Sequence, residues 1–97
     1  MRVANRSAHE AIANRREFTG SNFRGSRMLD SMGILPNADR EVLWHDAGRG
    51  LFDYIVYSYA TPIAWHTSDR GWVVPDVKYS VSTTRHQSIV RKAVSEL

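Results

Sequence analysis

Leu51-Phe52-Asp53-Tyr54-Ile55-Val56-Tyr57-Ser58-Tyr59 is dense in aromatic and β-branched side chains, the composition of a β-strand. Working outward from it, Pro62 lacks a backbone donor, which favours a break or an edge position there. Ile63-Ala64-Trp65-His66 reads as a second strand, and Ser68-Asp69-Arg70-Gly71 as a turn. Trp72-Val73-Val74 resumes as a third strand before Pro75-Asp76, and Val77-Lys78-Tyr79-Ser80-Val81 alternates as a fourth. Such short connections make neighbouring strands antiparallel. Trp65 and Trp72 flank one turn and read as a cross-strand pair in the core, with an exposed recognition patch as the alternative.

Downstream, Thr84-Arg85-His86-Gln87 has capping-box spacing, with Thr84 (or Thr83) as the cap and Gln87 answering it. Ile89, Val90, Ala93, Val94 and Leu97 then repeat as one face of a helix over 84–96, while Arg85, Arg91, Lys92 and Glu96 project elsewhere. That stripe is expected to lie across the sheet. His86 precedes Ile89 and Val90 by three and four residues, so it is expected to turn inward and find a backbone or Tyr partner.

Upstream the signals are weaker. Residues 3–17 read as a helix, with Ser7 capping a shorter version. Thr19-Gly20-Ser21-Asn22 breaks it, and residues 23–32 fit a short strand or a helical turn. Asn37 is positioned to cap a helix over 38–47, which Gly48-Arg49-Gly50 ends. The expected fold is α+β: an antiparallel sheet of three to four strands from residues 51–82 packed by a C-terminal helix, with one or two helices in the N-terminal half. A chain of 97 residues is the length of one domain. Within it, residues 33–97 read as the α+β core and residues 1–32 as a basic segment whose order the pattern leaves open.

Composition narrows the classes. The chain has no Cys, which excludes disulfides and thiolate metal sites. No apolar run approaches the length of a membrane span, and no apolar signal core follows Met1-Arg2-Val3-Ala4-Asn5-Arg6, so neither membrane insertion nor secretion is expected. The net charge of +3 is uneven: residues 1–27 hold six Arg against Glu10 and Glu17. Such asymmetry marks either a solvated helix face or a surface for nucleic acid or an acidic partner. Arg15, Arg16, Arg24, Arg27 and Arg85 are the candidate contacts.

Tyr57-Ser58-Tyr59-Ala60-Thr61-Pro62-Ile63-Ala64-Trp65, then Trp72-Val73-Val74-Pro75, then Tyr79-Ser80-Val81-Ser82-Thr83-Thr84-Arg85-His86-Gln87, resemble a family of small uncharacterised proteins found mostly in tailed phages of actinobacteria. Gly33-Ile34-Leu35-Pro36 matches its upstream Gly-x-Leu-Pro step. Ser82-Thr83 stands where a Val-Thr or Thr-Thr pair is usual, a mild departure. The resemblance covers residues 33–94 and, more loosely, 9–25. It implies a phage accessory protein and carries no established activity.

The chemistry-bearing residues make no standard constellation. His9, His45, His66 and His86 lack metal spacing, and no nucleophile elbow, phosphate loop or dinucleotide fingerprint is present. A ribonuclease-like toxin built on Thr84, Arg85 and His86 is the enzyme alternative. The Ser/Thr cluster at 80–84 reads as helix capping, with a phosphate held at the helix start as its rival. The expectation is a non-enzymatic accessory protein, without cofactor, in the cytoplasm of a bacterial host, binding and modulating a host protein. Nucleic-acid binding through the Arg-rich N-terminal quarter is the alternative. Thr83, Thr84, His86 and Gln87 are expected to be a structural junction.

Overall fold

A computed structural model describes residues 2–95. After a 3-10 turn at Asn5–Ser7 come α1 (Ala8–Ala13), β1 (Phe18–Thr19), β2 (Phe23–Ser26), α2 (Asn37–Gly48), β3 (Phe52–Ser58), β4 (Thr61–Thr67), β5 (Gly71–Val73) and α3 (Val81–Ser95). The strands form one antiparallel sheet in chain order, β1 to β5. The α+β class and the packing of the C-terminal helix on an antiparallel sheet are as expected.

Both faces of the sheet are covered, which is why the central strand is apolar almost throughout. Tyr54 and Val56 of β3 join Phe18, Phe23, Ala64, Val90 and Ala93 in a core under α1 and α3. Ile55 and Tyr57, one residue out of phase, join Trp65, Leu35 and Leu43 under α2. The β3–β4 register shifts between Val56 and Tyr57, so Ile63 is an inserted bulge residue and packs in the same core as Ala64. Trp65 and Trp72 lie in different layers: Trp65 pairs with Val73 on the α2 side, and Trp72 meets Tyr54 edge-on against the other core. They are not a cross-strand pair.

Four element readings change. The sheet has five strands, and residues 77–81 are not one of them. The Val77 carbonyl accepts from Gln87 Nε2 at 2.8 Å, and Ser80 is engaged at the helix start, so the chain leaves the sheet instead of lining β5. The added strands are β1 and β2, from the basic N-terminal quarter, where Phe18 and Phe23 are buried between polar neighbours. The helix expected over 3–17 is a 3-10 turn plus six residues; Arg15, at φ +51, ends it. The α2 helix begins on Asn37, with Pro36 in the cap position and no side-chain cap bond.

The last helix also starts a turn early. Ser80 is its cap: Ser80 Oγ accepts from the Thr83 amide at 3.3 Å, and the Ser80 carbonyl accepts from the Thr84 amide at 2.9 Å. Thr84 is therefore inside the helix and exposed. Ser80→Ala is expected to cost about 1 kcal/mol, whereas Thr84→Ala, at an exposed helical position where Ala is the better helix former, should cost nothing; equal losses in chemical denaturation would contradict this assignment. Val90 and Ala93 are fully buried, Ile89 and Val94 half-buried, and Arg91 and Lys92 exposed. Glu96 and Leu97 lie outside the described residues.

Candidate functional site

Two hairpin tips meet at one end of the sheet. Phe23 pairs with Ser58, which brings the β1–β2 tip at Asn22 against the β3–β4 tip at Tyr59. The Tyr59 amide donates to the Asn22 carbonyl at 2.8 Å. Both residues sit at φ +55, in the left-handed region. For Asn this is tolerated, but for a bulky aromatic it is an outlier. Asn5 clamps the first tip: its Oδ1 accepts from the Ser21 amide at 2.8 Å, and its Nδ2 donates to the Ser21 carbonyl at 2.9 Å.

Beneath the tips lies a buried polar chain. His86 is stacked flat on Phe23, with ring centroids 4.5 Å apart and planes within 2°. Its Nδ1 is 2.6 Å from Ser58 Oγ, and Ser58 Oγ is 2.9 Å from Thr83 Oγ1. On the other side, Nε2 faces Asn5 Nδ2 at 3.4 Å. The two bonds to Ser21 fix the Asn5 amide orientation, so Nε2 faces a donor and must carry the lone pair. The imidazole proton then sits on Nδ1 and is donated to Ser58, whose hydroxyl donates to Thr83. His86 does turn inward, but its partner is a serine rather than a backbone group or a tyrosine.

Burial disfavours the charged ring and holds His86 below its ordinary value of 6.5. The unfolded chain therefore binds a proton that the folded one does not as pH falls below about 6.5. Stability should be level above that value and decline below it, by at most about 1.4 kcal/mol per pH unit from this group. Unfolding followed between pH 7.5 and 5 in the parent and in His86→Gln checks this: the substitution should flatten the acid limb, and identical limbs would show that His86 does not contribute.

The groove beside this chain encloses about 470 Å³. Arg6 and His9 reach it from the first turn and α1, and Ser82, Arg85, Ile89 and Lys92 from one stripe of α3. Asn22 and Tyr59 close its end. Among the described residues, Arg6, Arg85 and Lys92 are thus three cations on the groove, and no carboxylate lines it. Spacing of three and four residues puts Ser82, Arg85, Ile89 and Lys92 on one side of a helix, and α1 packs alongside α3 to form the other wall.

The other arginine candidates are dispersed. Arg24 lies on the opposite sheet face, 4.0 Å over the Tyr57 ring and 2.7 Å from Asp30. Its hydrogen bond holds the Asp30 carboxyl below the ordinary carboxylate value. Arg27 approaches Glu17 at 3.9 Å. Arg15 and Arg16 are exposed beyond the C-terminal end of α1, away from Arg6 and His9 at its other end. Of the five, only Arg85 lines the groove; Arg6 and Lys92 were missed. Lys92 follows Arg85 by seven residues, a two-turn spacing that was legible in the sequence. Arg6 had no such signal, because it joins them only through α1–α3 packing.

The Thr84–Arg85–His86 trio is not assembled. Thr84 is exposed off the groove and two residues from His86, a spacing that separates side chains around a helix. Thr83 belongs to the buried chain, and Gln87 is buried on Val77 instead of answering a cap. Among the described residues no three His, Asp or Glu side chains gather as metal ligands, and no helix is long and apolar enough to cross a membrane.

The Family of unknown function (DUF8033) matches residues 7–93, a span holding both hairpins, α2, the buried His86 chain and most of the groove. The chain belongs to this family. Comparison with curated proteins and with solved structures finds no match. The DUF8033 match takes in α1, β1 and β2 as well as the residue segments at 57–65 and 79–87. In this DUF8033 chain those two segments meet at Ser58, Thr83 and His86.

Proposed function

We propose that this protein works by binding rather than by catalysis, and that its ligand is nucleic acid held in the groove between α1 and α3. The observation that carries the reading is the meeting of Arg6, Arg85 and Lys92 on one groove, with no carboxylate among its described lining residues. Clustered cations release counterions from a phosphate backbone, and that release is the main source of sequence-independent affinity. The non-enzymatic part is supported by Ser58, among the described residues the one hydroxyl bonded to His86, which is only 1 % exposed. Set beside the resemblance to actinobacteriophage proteins, the role is that of a phage accessory protein acting on nucleic acid in the host cytoplasm.

Each phosphate bound on a single strand contributes about −0.7 to the slope of log K against log salt. Arg85→Ala with Lys92→Ala should weaken oligonucleotide binding and flatten that slope by about 1.4. The control, Arg15→Ala with Arg16→Ala, should leave it unchanged. Binding absent at low salt, or a slope lowered equally by both pairs, would overturn the proposal.

A host-protein ligand is the second reading, and Trp44 favours it. This side chain is 71 % exposed on the outer side of α2, beside Leu29 and Met32. Trp is among the residues enriched at binding hot spots. Capture from host lysate that survives nuclease treatment and is lost in Trp44→Ala would favour this surface over the groove.

A further inference from the structure

We infer that the groove takes single-stranded nucleic acid, with Tyr59 as the platform on which a base stacks. This rests on the nucleic-acid reading above and specifies its substrate class.

Tyr59 is the one aromatic ring on the groove rim with half its surface in solvent, at 52 % exposure. It occupies the first position of the two-residue β3–β4 turn, with Ser58 and Thr61 paired on either side. Its φ of +55 is a value that glycine adopts freely and a bulky side chain does not. A tyrosine held there is strained, and its exposure means that core packing does not repay the strain. Strain that persists without packing gain is characteristic of binding sites. The surroundings keep the ring at the groove: the Tyr59 amide is tied to the Asn22 carbonyl, and the next carbonyl, of Ala60, accepts from Ser31 Oγ at 2.8 Å.

The arrangement suits a strand with unstacked bases. Arg6, Arg85 and Lys92 run along the walls and Tyr59 closes one end, so phosphates and a base face can be met together. Asn22 and Ser82 also line the groove, with groups able to bond base edges. In a duplex the base faces are stacked on one another and cannot reach a ring at a groove end. The ring of His86, tilted 42° and 6.3 Å from Tyr59, forms the polar floor between them.

The test measures anisotropy at low salt with three probes: a thymidine 12-mer, a 12-base-pair duplex, and inorganic polyphosphate as competitor. Parent, Tyr59→Phe and Tyr59→Gly are compared. Glycine is suited to the left-handed turn, so Tyr59→Gly should fold at least as stably as the parent. The expected result is that the single strand binds tighter than the duplex. Tyr59→Gly should weaken it about tenfold, within the range of one base–aromatic stack, and Tyr59→Phe should keep it. Polyphosphate competition should be unchanged in all three proteins. If polyphosphate and the 12-mer bind but Tyr59→Gly matches the parent, or the duplex binds as tightly, the stacking inference is wrong and the cationic groove stands. If neither polyanion binds, the groove reading falls with it.

Discussion

Asp46→Ala should destabilise the protein by about 2–3 kcal/mol, the range for removing a charged acceptor and leaving a buried donor unsatisfied. Asp46 is 1 % exposed on the inner side of α2. Its Oδ2 accepts from the Trp65 indole N–H at 2.9 Å and from the Arg70 guanidinium. Its Oδ1 has only Arg49, at 3.8 Å, and Arg49 also pairs with Asp69. One carboxylate thus ties α2 to β4, to the β4–β5 turn and to its own helix end. Without it the Trp65 N–H is buried with no acceptor, and Arg70 loses its carboxylate while Arg49 keeps only Asp69. Chemical denaturation is the measurement. Asp46→Asn, which keeps an acceptor for Trp65, should lose less than Asp46→Ala. In the double variant with Trp65→Phe the losses should not add, because the two side chains share one bond. Additive losses would show that the bond contributes little. In a domain whose total stability is of the order of 5–15 kcal/mol, the alanine variant should lose a large share of it.

Phe23→Ala should cost ~3–5 kcal/mol, through the opposite face. Phe23 is buried on β2, edge-on to Phe18 at 5.2 Å and flat against His86 at 4.5 Å. Its removal opens a cavity between the N-terminal hairpin and α3 and takes the floor from under the imidazole. Loss of stability should therefore come with loss of the His86 acid limb, because a ring that can take up water is no longer held below 6.5. Phe23→Leu fills most of the volume and should retain more of both. A Phe23→Ala protein with parental stability would mean that β1 and β2 are dispensable to the sheet.

Those two residues also mark what was legible in the sequence. Phe23 sat in a segment readable as strand or helical turn, and Asp46 next to His45 in an unremarkable acidic helix. Both matter through partners 19 to 63 positions away, at Trp65 and His86. No local pattern carries that information.

The groove shows the same division. Arg85 and Lys92 share a helix face by spacing alone, whereas Arg6 meets them only after α1 packs on α3. Arg24 and Arg27 looked equivalent to Arg6 in the charge count, but Asp30 and Glu17 lie beside them in space.

By itself the sequence determined the α+β class, the β3 and β4 strands, the C-terminal helix from residue 84 on and the inward turn of His86. Each follows from side-chain type and period within about a dozen residues. Tertiary structure alone decided that residues 18–26 supply two strands of the sheet and residues 77–81 none. A strand's place depends on which edge offers unpaired backbone and on what competes for it. Here Gln87 takes the Val77 carbonyl and Ser80 caps α3, while Phe18 and Phe23 find a core under α1 and α3. The same packing gathered Arg6, Arg85 and Lys92, because charge has a sign in the sequence but acquires a location only when the helices dock.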